Sequence, residues 1–153
     1  MAKDNEPEVS QQMEQGIAQM DQLKNQIESL SMQRESLSSV ILDYDRSVQV
    51  LTAMVSSSSD IFLLPLGGQV FVNARITDME KCIVDQGSGV LMERNIEEAI
   101  EQVKERKEKV KGAVASIDRS IQELMSRYQE VTQRTQKIYD QQMRSGPGPE
   151  KTF

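Results

Sequence analysis

Two heptad repeats of matching length, held apart by a stretch with a different period, restrict this chain more than anything else in it. The first has a positions at Met13, Met20, Ile27, Arg34, Ile41, Val48 and Val55, with d positions at Gly16, Leu23, Leu30, Leu37, Tyr44 and Leu51. The second has d positions at Ile96, Val103, Val110, Ile117, Leu124, Val131 and Ile138. Its a positions are Ile100, Lys107, Val114, Ile121, Tyr128, Thr135 and Gln142. A narrow apolar seam at a period of about 3.5 residues marks a coiled coil, whereas a helix facing a broad core carries a wider stripe. Folding the second repeat back on the first makes an antiparallel pair. Setting Val55 opposite Ile96 places Leu23 against Tyr128 and Met13 against Ile138, and brings Tyr44 to Lys107 and Arg34 to Ile117. A shift by one whole heptad would also match a with d, and equal repeat lengths favour the unshifted pairing. Polar groups at a positions commonly specify register at some expense of stability, which is the reading for Arg34 and Lys107.

The ends of the repeats carry their own signals. Asn5, Pro7 and Glu8 form a helix start: a capping side chain, a proline in the first turn and a carboxylate at the positive end. Ser56–Ser59 and Asp60 end that helix, since short hydroxyl side chains compete with the helical backbone. Asn95 with Glu98 reads as a capping box, and Glu97 and Glu101 add charge that suits the helix dipole. The Ser145-Gly146-Pro147-Gly148-Pro149 run stops the second helix. The expected organisation is one domain over residues 1–153: a helix over 5–57, β structure over 61–93, a helix over 95–144 and a flexible tail over 145–153.

The intervening stretch, IFLLPLGGQVFVNARITDMEKCIVDQGSGVLME, is the only part that reads as β structure. It is dense in Val, Ile, Phe and Leu, which suits a pleated and half-buried surface. Gly67-Gly68, Thr77-Asp78 and Gln86-Gly87-Ser88-Gly89 divide it into four short runs. The spacing predicts two hairpins, Ile61–Leu66 with Val70–Ile76 and Lys81–Asp85 with Val90–Glu93. Pro65 has no amide donor and belongs near a strand end or on an edge. Hairpins of this size do not bury such apolar surface unaided. Leu63, Leu64, Leu66, Val70, Phe71, Val72, Ile83, Val84, Val90 and Leu91 are therefore the candidate assembly residues, meeting copies of the chain or a partner.

Composition narrows the function. With 37% hydrophobic residues, 4% aromatic and no Trp, the chain is thin for a compact globule and ordinary for an elongated helical protein. A net charge of −6 argues against a nucleic-acid backbone as the main partner. With no His, imidazole general-base catalysis and His-ligated metal sites are excluded. Cys82, the only cysteine, reads as a small core residue. Asp43 and Asp45 lie two apart on a helix and point in different directions, so they are no catalytic pair. The paired glycines lack the lysine and following helix of a phosphate loop and are better explained by turns. No enzyme activity, cofactor or metal is expected. The longest apolar run, Ile61–Leu66, is too short to span a bilayer, and MAKDNEPE lacks the apolar core of a secretion signal. The expected protein is soluble and cytoplasmic, with no membrane or nucleic-acid partner.

The order of heptad helix, two hairpins and heptad helix resembles the α-class subunits of prefoldin, the archaeal ones in particular. The resemblance is carried by Leu64-Pro65-Leu66-Gly67-Gly68, by Val70-Phe71-Val72, and by Val84-Asp85-Gln86-Gly87-Ser88-Gly89-Val90 leading to Glu93. Met92 and Arg94 stand where the family more usually has Val and Lys. The resemblance implies a mainly α fold with a small β insert: a long antiparallel coiled coil whose hairpins build an oligomeric β-barrel platform. It also implies an ATP-independent holdase, joining two α with four β-class subunits as a hetero-hexamer, gripping non-native proteins and passing them to a group II chaperonin. The grip is expected at the helix ends, on Val9, Met13, Ile17, Met20, Ile138, Tyr139 and Met143. Flexible Met side chains there suit varied partners. The alternative is a structural coiled-coil scaffold or a prefoldin-like filament subunit.

Overall fold

The computed structural model describes residues 6–145. In chain order the elements are α1 (Glu6–Ser56), β1 (Ile61–Gly67), β2 (Val70–Arg75), β3 (Lys81–Asp85), β4 (Leu91–Asn95) and α2 (Ile96–Ser145). The capping role expected of Asn5 and the tail over 146–153 lie outside the described residues. Pro7 sits in the first turn of α1, where its missing amide forfeits no helical bond. The chain divides into two compact units, one built from α1 up to Glu35 and α2 from Ala115 onward, the other from Ser36 to Val114.

The first unit is helical throughout. Leu23, Val131 and Thr135 are buried, as is Gly16. Gly16 packs on Thr135 so closely that a Cβ at position 16 would overlap Thr135 Oγ1 and lie 3.3 Å from both its Cβ and its Cγ2. Arg34 is paired with Asp118, and Arg134 donates to Gln19 at 3.0 Å. These partners advance along α1 as they retreat along α2, so the helices are antiparallel within this unit. Gly16 against Thr135 belongs to the same pairing as Met13 against Ile138. Arg34 meets the carboxylate next to Ile117 in sequence, so its charge is neutralised at the margin of the seam.

In the second unit the helical core is Met54, Ile96, Ala99 and Val103. Lys107, expected to specify register, is paired with Asp45, the residue next to Tyr44 in sequence. Val55, expected in the seam, is exposed, and Met54 is buried in its stead. A step of three residues from Leu51 in place of four shortens the repeat here, the opposite of the lengthening that a straight helix of about 3.6 residues per turn would bring. At this end of α1 the side chain three after Leu51 comes inside, and the one four after it does not.

Both hairpins are antiparallel. Ile61 pairs with Arg75 and Leu64 with Val72, with an irregularity between Pro65 and Gly67. Lys81 pairs with Asn95 and Asp85 with Leu91. Asn95, expected to cap α2, is thus the last residue of β4, and the Ile96 amide donates to the Glu80 carbonyl at 3.0 Å. The turns need left-handed backbone at Gly67 (φ 98°) and Gly87 (φ 107°), where a side chain would be strained. Asp85 accepts from the Gly87 amide at 2.7 Å, fixing the second turn. One expectation is corrected. The strands form two separate two-stranded sheets, β1–β2 and β3–β4, and no sheet closes into a barrel. Closure requires each strand to pair on both sides; among the described residues each pairs on one side only. Between the ladders Asp78 accepts from the amides of Glu80 (2.9 Å) and Lys81 (3.1 Å), a tight turn that separates β2 from β3.

Candidate functional site

The first turns of α1 and the last turns of α2 carry the residues singled out for binding. The first unit brings three of them together. Met13, Met20 and Tyr139, with Thr132, Thr135 and Gln136, line an open recess of about 270 Å³. Thr132 Oγ1 donates to the Tyr128 carbonyl at 2.8 Å and lies 3.3 Å from Met20 Sδ, which holds the thioether against α2. Gln136 donates to Asp140 at 3.2 Å, which ties its amide nitrogen along the helix. Ile17, Tyr139 and Met143 are exposed, at 47%, 43% and 69%. Val9 and Ile138 are half-buried. Val9, Ile17, Ile138 and Met143 do not line the recess. Thr132 and Gln136 were not legible as lining residues, because nothing in α2 alone marks them; the one available signal was the small d residue Gly16 in the layer of Thr135.

The hairpins carry the second candidate surface. Leu63, Leu64, Leu66, Val70, Phe71, Val72, Ile83, Val90 and Leu91 are exposed, Ile83 by 70% and Leu91 by 65%. Leu63 and Leu64 point to opposite faces of β1, so both faces of the first hairpin present apolar side chains. Val84 is half-buried. It lines a groove of about 510 Å³ with Tyr44, Val50, Leu51, Cys82 and Val103 among its other walls. The second hairpin is tied to α2 by a Gln102–Gln86 amide pair at 2.7 Å and by Arg106 donating to the Asp85 carbonyl at 2.7 Å. Burial pushes the Cys82 thiol up from its usual range, because desolvation disfavours the thiolate. Among the described residues no group of His, Cys, Asp and Glu is arranged to hold a metal ion. No described helix is long and apolar enough to cross a membrane.

Comparison with known proteins places these features in a family. A family model described as "Prefoldin subunit" matches residues 23–141. The chain is 33% identical over 120 residues to prefoldin subunit alpha of Methanopyrus kandleri, covering 78% of this chain and 76% of that one. It is 29% identical over 123 residues to prefoldin subunit alpha of Archaeoglobus fulgidus, covering 80% and 90%. Among solved structures it is similar to a chain of the filamentous PFD from Methanocaldococcus jannaschii, determined by cryo-EM. That likeness has a TM-score of 0.53 at 20% identity, covers 82% of this chain and 98% of that one, and concerns the fold.

Proposed function

The chain belongs to the prefoldin family as an α-class subunit, and from that premise we propose that it works as an ATP-independent holdase, capturing non-native proteins at the ends of its helices. Prefoldin subunits are chaperone subunits without catalytic activity, and the chain is no enzyme. The observation that carries the reading is the recess between Met13, Met20 and Tyr139, flanked by exposed Ile17 and Met143. Each such side chain, partly buried by a client, contributes about 1 kcal/mol at about 25 cal/mol per Å². One chain therefore binds weakly, and several chains held together bind by avidity. The exposed hairpins supply the surface for holding them together. On this reading the partners are β-class subunits, with two α and four β in a cytoplasmic hexamer, and a group II chaperonin receives the client.

Replacing Ile17, Tyr139 and Met143 by Ser tests the capture step. All three are exposed, so helicity and assembly are expected to persist while suppression of aggregation of a chemically unfolded test protein falls. A triple variant that protects as well as the unaltered chain removes these residues from the grip.

The second reading, a structural or filament-forming coiled-coil subunit, is favoured by the likeness to a chain of a filamentous assembly and by the exposed hairpins. It has more direct support than delivery to a chaperonin. Electron microscopy of the chain alone separates the two: regular filaments without protection of an unfolded protein select the scaffold, and protection without filaments selects the holdase.

A further inference from the structure

We infer that the Gly16–Thr135 layer is a positioning element that sets the size of the recess, and thereby selects a single aliphatic or aromatic client side chain. The inference rests on the holdase reading and deepens it. Its basis is the one place in the first unit where a seam position has no side chain. Gly16 occupies a d position and is buried, and Thr135 faces it directly. The α1 residues one heptad position to either side of Gly16 are Met13 and Met20, and both line the recess with Thr135. Because position 16 has no side chain, Thr135 approaches α1 until it fills the place that a side chain there would take, and Thr135 in turn forms the floor of the recess between the two methionines.

Dimensions and chemistry name the occupant. An apolar cavity of roughly 150 Å³ is enough to hold a benzene molecule. The recess, at about 270 Å³ and open on one side, has room for one ring or branched aliphatic group and not for a packed element. Two methionines give it soft, polarizable walls that adapt to either kind of group, and Tyr139 offers a ring face. The Thr132 hydroxyl and the Gln136 amide nitrogen donate along α2. An ionised side chain entering here gives up water against the two methionines and the tyrosine ring, none of which carries a compensating charge. The floor is rigid because Gly16 and Thr135 are already in contact, so the recess cannot deepen without spreading the helices.

The test uses the full chain with isotope-labelled methionine methyls, titrated with the N-acetyl amides of leucine, phenylalanine, tryptophan and aspartate. The Met13 and Met20 methyl resonances are expected to shift with the first three and not with the last, while Met32, exposed elsewhere on α1, stays still. Gly16→Ala puts a methyl into Thr135 and is expected to weaken binding by about fourfold, the equivalent of one buried methylene. Thr135→Ala lowers the floor and is expected to raise the tryptophan-to-leucine affinity ratio by a similar factor. That change of preference is one that a loss of stability would not produce. Shifts that do not depend on the side chain offered, or an order of preference unmoved by Thr135→Ala, overturn the inference. Gly16→Ala protecting clients fully, while the triple Ser variant does not, overturns it and leaves the holdase reading standing. Full protection by the triple Ser variant takes Tyr139, and with it the recess, out of the grip and overturns the inference, whereas the holdase reading falls if the unaltered chain fails to protect.

Discussion

Leu23 is among the few side chains that α1 buries, at 8% exposure, while its neighbour Gln22 faces solvent. Leu23→Ala is expected to lower stability by about 2–4 kcal/mol through lost transfer energy and an unfilled space in the seam. Gln22→Ala is expected to stay within about 0.5 kcal/mol. Thermal unfolding followed by far-UV circular dichroism reads both, and equal losses would contradict the placement of the seam. The two cross-helix ion pairs contribute less. Arg34 and Asp118 are each about half exposed, and pairs of that kind are worth about 0–1 kcal/mol, so their service is to register. Cys82 makes a separate claim. The thiolate is the nucleophile, and burial keeps Cys82 in the thiol form to higher pH than usual. Alkylation by iodoacetamide slightly above neutral pH is therefore expected to run more slowly in the folded chain than in urea, with the gap narrowing as pH rises. Equal rates in both states would show that desolvation does not act on this sulfur.

The second hairpin is held to α2 through side chains that reach across the sequence, Gln86 to Gln102 and the Asp85 carbonyl to Arg106. Gln102→Ala removes a partner from a half-buried amide, a loss of about 1 kcal/mol. Faster hydrogen exchange is expected in β3 and β4, with β1 and β2 unchanged; uniform acceleration in all four strands would show that the tie is not local. The turns were the legible part of this insert. Gly67-Gly68 and Gly87-Ser88-Gly89 mark backbone that must turn left-handed, and Gly67, Gly68, Gly87 and Gly89 all do so. The heptads were legible for the same kind of reason, since a seam is a repeated local choice. What could not be read was whatever depends on an element distant in sequence. Asn95 joins β4 because Lys81 lies opposite it, and Thr132 lines a recess only once Met20 is brought beside it. The barrel expectation failed on another ground: family resemblance supplied it, and the strands of one chain stop at two separate ladders.

As a whole the molecule leaves its most apolar side chains outside. Leu63, Ile83 and Leu91 are each more than half exposed on strands whose outer edges are unpaired among the described residues. Fully burying such a side chain against another chain yields about 1.5–3 kcal/mol. Replacing all three by Lys is expected to shift the chain toward monomer in native mass spectrometry while leaving helicity unchanged; an unaltered oligomer would place the contact away from the hairpins. The two passages between helix and sheet within the second unit are also unlike. Between Ser56 and Ile61 lie four residues, three of them serines; the Ser57 hydroxyl donates to the Ser59 carbonyl, and the Ser59 hydroxyl accepts from the Ile61 amide at 3.2 Å. Between Asn95 and Ile96 there is no intervening residue, because strand becomes helix at a single peptide bond. One passage is a link that holds itself by its own hydrogen bonds, and the other is a direct splice. The direction of β4 is therefore handed straight to the first turn of α2, whereas β1 takes its direction from the turn that the serines build.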